Sequence, residues 1–177
     1  GSNGDVFVNP GQDDVALADW VIPEDTMIDS DTLAVLLDGG HYVNVHTPEF
    51  AGGEIRGQIL TDNYAVATFD LSGNQEVPMV STMADGDGYA LVDTTDYSVE
   101  LTVVTSGLDD ASAAHIHTGR IGTNGGVLVA LEQSMDDSNV WMTPSNTQIN
   151  ADIFAVLASG GHYVNVHTPA NAGGLGG

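Results

Sequence analysis

The chain has 177 residues, with 25 acidic side chains against two basic ones, a formal net charge of −23 and no cysteine. This charge repels phosphate groups, which argues against nucleic acid and anionic membranes as partners and leaves divalent cations as natural ones. The lack of cysteine excludes a disulfide framework and any thiolate metal site or nucleophile. Because 42% of the residues are hydrophobic, we expect a folded chain. No apolar run reaches the roughly 20 residues that cross a bilayer, so no direct membrane insertion is expected.

A long internal repeat sets the organisation of the chain. The segment GGHYVNVHTP at 39–48 recurs letter for letter at 160–169, and residues 1–53 match residues 122–174 at 27 of 53 positions without a gap. A repeat of this length and register indicates tandem domains. We therefore predict that residues 1–61 are the second half of one domain and that residues 62–177 are a nearly complete domain that lacks its closing strand. We call residues 121 positions apart in this alignment twins.

The local sequence pattern is mostly that of β-strands. Short runs rich in Val, Ile, Thr and Tyr, several of them alternating between polar and apolar residues, are separated by Gly, Asn, Asp and Pro. One short helix is predicted in each repeat, at 31–38 and at 150–158, where Asn150 is a candidate N-cap. The predicted strands cover 54–60, 64–71, 89–93, 97–104, 114–118, 126–131 and 162–167. This spacing favours an all-β fold, built as an antiparallel sandwich or barrel.

Six motifs resemble a known domain in their order and spacing. They are Leu71 to Pro78 (LSGNQEVP), Gly86 to Tyr89, Ser106 to Leu108, Ala114 to Gly119 (AHIHTG), Asn124-Gly125 and Gly161 to Thr168 (GHYVNVHT). Together they resemble the CHRD domain, which is named after the secreted protein chordin. The resemblance implies antiparallel β-sandwich repeats, Ig-like or superoxide-dismutase-like, that are extracellular modules without enzymatic activity. Leu175-Gly176-Gly177 stands where that family has its closing strand.

The histidines are the most chemically informative side chains. Because residues i and i+2 of a strand share a face, His115 and His117 are expected to project together while Ile116 turns to the core. By the same alternation His167 lies opposite the core valines, and it would converge with this pair if the two strands are neighbours. Imidazole suits copper and zinc, so the candidate metal ligands are His41, His46, His115, His117, His162 and His167. The alternative is that these rings hydrogen-bond to the backbone and to neighbouring side chains.

Two further sets of charged residues invite a specific interpretation. Asp85 and Asp87 are candidate calcium ligands because hard oxygens on loops suit that ion, although Asp and Gly are also ordinary turn formers. Arg56 and Arg120 are the two basic residues of the chain. We expect each to have a fixed structural partner, and strand alternation brings Arg56 near the histidine and tyrosine face.

These features favour a structural or adhesive role over catalysis. No serine lies in a G-x-S-x-G nucleophile elbow, and the expectation is that the protein is not an enzyme. We expect an extracellular tandem-repeat protein of a surface filament, matrix or adhesin. In it, neighbouring repeats or subunits, that is, other copies of the chain, would complete each other's sandwiches by strand addition. The alternative is a copper- or zinc-binding or dismutase-like protein based on the histidines.

Overall fold

The computed structural model describes residues 5–12, 20–171 and 175–176. The chain divides into two compact units, Gly1–Thr61 (unit 1) and Asp62–Gly177 (unit 2). Among the described residues of both units, the regular secondary structure is mainly antiparallel strands, with one short α-helix each and a 3-10 turn at Gly73–Gln75 in unit 2. The prediction of an all-β antiparallel fold with one short helix per repeat is therefore confirmed.

Unit 1 contains two short antiparallel strand pairs and a helix. β1 (Gly11–Gln12) pairs with β2 (Trp20–Val21), and β3 (Tyr42–Val45) pairs with β4 (Ile55–Gln58). Helix α1 (Ser30–Leu37) begins where the Asp29 carboxylate accepts a hydrogen bond from the Thr32 amide at 2.8 Å. The hydrogen bonds from Thr32 lower the pKa of Asp29. The cap satisfies one of the amides that a helix N-terminus leaves without an intrahelical partner.

Unit 2 is built on one sheet whose nine strands lie in the order β10-β11-β7-β6-β5-β13-β12-β8-β9. All neighbouring strands are antiparallel. The strands are β5 (Tyr64–Ser72), β6 (Asp85–Asp93), β7 (Val99–Ser106), β8 (Ala113–Thr118), β9 (Val127–Ala130), β10 (Glu132–Gln133), β11 (Val140–Met142), β12 (His162–His167) and β13 (Leu175–Gly176). Helix α2 (Ala151–Ala158) starts at Asn150, whose side-chain oxygen accepts from the Ile153 amide at 2.9 Å, as predicted.

The sheet of unit 2 curls on itself around a single apolar core. β9 and β10 lie at opposite ends of the strand order, yet only Leu131 separates them along the chain, so the two ends of the sheet must meet. The Leu131 amide donates to the Ala114 carbonyl at 2.8 Å at this junction. The enclosed core is formed by every second residue of the strands, including Leu71, Ala90, Leu101, Val103, Ile116, Trp141, Val164 and Val166. This arrangement is the sandwich that the alternating strand pattern predicts.

One boundary predicted from the sequence is wrong. The strand predicted at 89–93 begins four residues earlier, at Asp85, so Asp85 and Asp87 belong to a strand and not to a turn. Gly86 and Gly88 of this strand lie where a side chain would collide with neighbouring atoms. A Cβ on Gly88 would lie 2.5 Å from the Thr102 carbonyl oxygen and 2.7 Å from the Phe69 ring. The neighbouring strand and the ring thus occupy the space that a side chain would need, which explains glycine inside this strand.

Candidate metal centre and strand slot

Two adjacent strands bring three histidines together on one face of the sheet. β8 carries His115 and His117, and β12 carries His167. In the register of this pair, His117 lies opposite Tyr163 and His115 lies opposite Asn165. Residues directly opposite each other in antiparallel strands share a face, so all of these side chains lie on the side away from the core valines. The predicted convergence of the three histidines is what the structure contains.

The three imidazoles are close enough to share one ligand. One ring nitrogen from each of His115, His117 and His167 lies within 4.8 Å of the other two. His115 Nδ1 and His167 Nε2 are 3.0 Å apart, a hydrogen-bond distance that requires a proton on one of them. The ring centroids are separated by 4.9 Å for His115 and His167, 5.6 Å for His115 and His117, and 5.9 Å for His117 and His167.

A hydrogen bond and an aromatic stacking contact fix the orientation of the His117 ring. The residue is 8% exposed, and its ring stacks on that of Tyr163, with centroids 5.0 Å apart and planes 13° from parallel. Nδ1 lies 3.0 Å from the Gly125 carbonyl, and since a carbonyl only accepts, Nδ1 carries the proton. The Tyr163 hydroxyl accepts from the Gly125 amide at 3.2 Å. Nε2 therefore has a lone pair, and within the described part of the chain this buried atom has no hydrogen-bond partner.

The loop contact that orients His117 depends on glycine. A Cβ on Gly125 would lie 1.4 Å from the Thr118 carbonyl oxygen, so only a residue without a side chain fits here. The Gly125 carbonyl acts on His117 in the way that a backbone acceptor commonly orients a metal-ligating histidine through its other ring nitrogen. Sequence reasoning missed this role, because nothing in the Asn124-Gly125 pair specifies that a carbonyl turns back toward the strand.

Electrostatics favour the neutral form of His115. Burial lowers the pKa of His115, and the neighbouring His167 and His117 lower it further because like charges repel. Neutral imidazole is the form that binds a metal ion. A neutral imidazole offers one nitrogen lone pair, which is the donor that a metal ion needs.

The other candidate histidines lie elsewhere. His162 points to the core side of β12, where burial lowers its pKa and its Nδ1 has no partner among the described residues. In unit 1, the His41 ring meets the Phe7 ring edge-on at 5.6 Å, and His46 Nδ1 lies 3.0 Å from the Ala51 carbonyl. The sequence of unit 1 has the HYVNVH motif without an HIH segment, and among the described residues His46 belongs to no histidine cluster although its twin His167 does.

The acidic and basic candidate residues lie apart from the histidine cluster, each with its own neighbours. The Ser106 hydroxyl donates to the Asp85 carboxylate across two neighbouring strands. Among the described residues, the histidine cluster is the only group of three potential metal ligands. Calcium binding at Asp85 and Asp87 therefore stays a prediction. The Arg56 guanidinium stacks over the Tyr42 ring at 3.6 Å, near the tyrosine as predicted. Arg120 is exposed, and its carbonyl accepts from the Thr123 amide at 3.0 Å.

A second feature of unit 2 is a gap in the sheet between β5 and β12, which we call the strand slot. β13 fills only one end of it, pairing with Asn165 and Val166 on β12 and with Ser72 on β5. The remainder of the slot opens into a cavity of about 810 Å³. The cavity is lined by core residues such as Phe69, Ala90, Leu101 and Val164, and also by Tyr163 and Glu76.

Glu76 is the unusual residue of the slot. It is 7% exposed, and none of the described residues forms a hydrogen bond with its Oε1. Burial raises the pKa of Glu76, and the backbone amide of Val77 offsets only part of this shift. Sequence reasoning gave Glu76 no role beyond its place in the LSGNQEVP motif, because burial without a partner cannot be deduced from residue type.

The fold and the two repeats define a tandem array of β-sandwich modules. A family model for the CHRD domain matches residues 1–59 and 67–175. The matched residues make up most of the chain, which belongs to the CHRD family, with one partial and one nearly complete copy. No curated protein and no solved structure matches the chain.

The family and the helices bear on location. CHRD domains are typically extracellular domains. Among the described residues, no helix is long and apolar enough to cross a membrane.

Proposed function

We propose that this chain is a structural or adhesive module of an extracellular filament, matrix or adhesin, and not an enzyme. Neighbouring repeats or subunits complete each other's β-sandwiches in this assembly. The observation that carries the proposal is the contrast between twin residues of the two units. Trp141 and Val164 are each 4% exposed in unit 2, whereas their twins Trp20 and Val43 are 51% and 46% exposed in unit 1.

The contrast has a direct physical reading. In unit 2 the twin positions are buried by core residues on the strands of its own first half, β5 to β8. Unit 1 has the second-half residues and, within its described part, no such strands over them. A fully buried aliphatic or aromatic side chain contributes about 1.5–3 kcal/mol relative to an exposed one, so covering this face is strongly favoured. A first half from another repeat or subunit would supply core residues equivalent to those of β5 to β8 in unit 2.

Self-association tests the proposal. Light scattering and electron microscopy over a range of protein concentrations should detect oligomers or filaments of the chain. Val43→Asp places a charge on the uncovered face and should abolish them. Val104→Asp is the matched control, because Val104 is 45% exposed on β7 of unit 2 and away from this face. A chain that stays monomeric throughout, or a Val43→Asp variant that assembles as well as the control, would contradict the proposal.

A second candidate function is the binding of copper or zinc, favoured by the convergence of His115, His117 and His167. Three imidazole ligands with an open position are found in zinc sites that bind water or substrate, and copper also accepts imidazole. His117 is already oriented by Gly125, and its buried Nε2 lacks a partner, which supports a ligand at this point. Dismutase-like chemistry would be the enzymatic form of this alternative.

Titration with zinc and with copper, followed by elemental analysis of the washed protein, tests the second function. The expected result is one ion per chain for the unaltered protein and for His46→Ala, and none retained by His167→Ala. His46 is the matched control because it is the twin of His167 outside the cluster. Equal retention by the two variants would exclude this cluster as the site.

A further inference from the structure

The strand slot is one strand wide. β13 pairs with β12 on one side and with β5 on the other, so these two strands flank it directly. Neighbouring strands in a sheet lie about 4.7–4.9 Å apart, which places β5 and β12 two such spacings from each other. Beyond Gly176, no described strand pairs with residues 68–71 of β5 on this side or with residues 162–164 of β12. Within the described part of the chain, two strand edges with no strand between them beyond Gly176 thus face each other across an apolar cavity, and the Gln75 side-chain amide donates to the Asp70 carbonyl on β5 at 2.8 Å.

Unit 1 contains the strand that fits such a slot. This strand is β4. Its partner β3 is the twin of residues 163–166 in β12, and β3 pairs with β4 in the register Tyr42 to Gln58, Val43 to Gly57, Asn44 to Arg56 and Val45 to Ile55. Arg56 stacks on Tyr42, and the Gln58 amide group donates to the carbonyl of His41 at 2.7 Å. The twins of Tyr42 and His41 are Tyr163 and His162, which border the slot.

Comparison of the strand pairing in the two units shows which side chain would stand at the position of Gly176. Gly176 pairs with Asn165, whereas the twin Asn44 pairs with Arg56, so Gly176 stands at the arginine position of the closing strand. A Cβ built on Gly176 would lie 3.1 Å from Glu76 Oε1, the buried oxygen without a described partner. A side chain at this position therefore points at Glu76, and an arginine there could form a charge-assisted hydrogen bond with it.

We propose that the strand slot receives β4 (Ile55–Gln58) of a second copy of this chain, with Arg56 stacked on Tyr163 and paired with Glu76. This inference rests on the proposed function and names the donor strand. In unit 1 all four residues of β4 are exposed, Ile55 by 67%, so transfer into the slot would bury apolar surface that β4 leaves in water. β4 exchanges one edge partner, β3, for two, β12 and β5, and displaces the two-residue β13.

The geometry of this exchange sets the form of the assembly. The donor lies in unit 1 and the acceptor in unit 2, so each copy offers one of each. A contact between different surfaces of two identical chains is heterologous, and it propagates head to tail into a ring or an open filament.

A peptide with the sequence of Glu54 to Leu60 (EIRGQIL) is the direct probe. Added in excess to the full chain, it should bind one to one and slow hydrogen exchange of those amides of residues 68–71 and 162–164 that point into the slot. It should also compete with self-association. A chain ending at Asn171, which has no β13 to displace, should bind the peptide more tightly. The peptide with Gly57→Pro, which lacks the central backbone donor, should not bind.

Side-chain variants test the arginine contact separately from strand pairing. Peptide affinity should fall about tenfold or more for the Arg56→Ala peptide and for Glu76→Gln protein. It should be unchanged for Glu100→Gln, the matched control, because Glu100 is an exposed carboxylate on β7. Equal affinity of the Arg56→Ala and native peptides would overturn the assignment of Arg56 to Glu76.

The outcomes separate this inference from the proposed function. Absence of peptide binding in a chain that still assembles overturns β4 as the donor and leaves assembly standing. Peptide binding by a chain that never assembles would contradict the proposed assembly but support the slot as a site that binds a strand. Protection of residues 68–71 and 162–164 in the monomeric chain without peptide would mean that its own β4 fills the slot, which overturns a second copy as the donor.

Discussion

The orientation and contacts of several single residues in unit 2 cannot be deduced from residue type alone. His117 is fixed by one carbonyl and one aromatic ring, with its free lone pair inside the histidine cluster. Gly125 makes this possible because it has no side chain to collide with Thr118. The H-x-H spacing predicts which rings share a face, but only the register between β8 and β12 brings His167 to them. Alternation alone correctly sends His162 to the other face.

Glu76 gives a prediction at the residue scale. Its folded-state pKa is raised by burial, so the folded protein holds the proton more tightly than the unfolded chain does. Stability is therefore fully present below the ordinary glutamate pKa of about 4.3 and declines as pH rises through the raised value. Glu76→Gln should increase the unfolding free energy of the monomeric chain by about 1 kcal/mol at pH 7 and have no effect at pH 4.

Chemical denaturation at the two pH values measures this effect. Glu100→Gln is again the control, and it should stay within about 0.5 kcal/mol of the unaltered chain because surface substitutions rarely do more. A Glu76→Gln variant that is less stable at pH 7 would mean that the carboxylate is paired in solution, contrary to its burial without a partner.

At the scale of elements, the alternation of polar and apolar residues and the Gly, Asn, Asp and Pro residues between the runs predict most strands and both α-helices. Residues 64–71, 97–104 and 162–167 alternate clearly, and the structure has strands there within two residues of the predicted bounds. The short strands Glu132–Gln133 and Val140–Met142 were outside the prediction, since two or three residues are too few to establish a period. They exist because the sheet closes, which is a property of tertiary structure.

The glycines of β6 give a prediction at this scale. Gly88→Ala should lower the unfolding free energy by about 1–3 kcal/mol, because the new methyl group overlaps the Thr102 carbonyl and the Phe69 ring. Gly126→Ala is the matched control, since a Cβ there would meet nothing within 4 Å. Thermal or denaturant unfolding compares the two. Equal stability of the variants would mean that Phe69 and β7 can move aside, and that close packing does not explain glycine in this strand.

The charge of the whole molecule opposes any association between copies. At a net charge of −23, two chains repel each other, and this repulsion is screened over about 10 Å at 0.1 M salt and about 3 Å at 1 M. If burial of apolar surface drives assembly, self-association measured by sedimentation should strengthen as sodium chloride is raised between these concentrations. Association that weakens steadily with salt would instead indicate that exposed charge pairs hold the copies together.

The central claim is that another polypeptide covers the apolar face of unit 1, and Trp20 reports on it directly. Trp20 is half exposed and its twin Trp141 is buried, so the difference between the emission of the full chain and that of Trp20→Phe isolates Trp20. As protein concentration rises, we expect this difference spectrum to shift to shorter wavelength and to become resistant to acrylamide quenching, in step with oligomer formation. Trp20 emission that stays red-shifted and fully quenchable in the assembled protein would contradict the account.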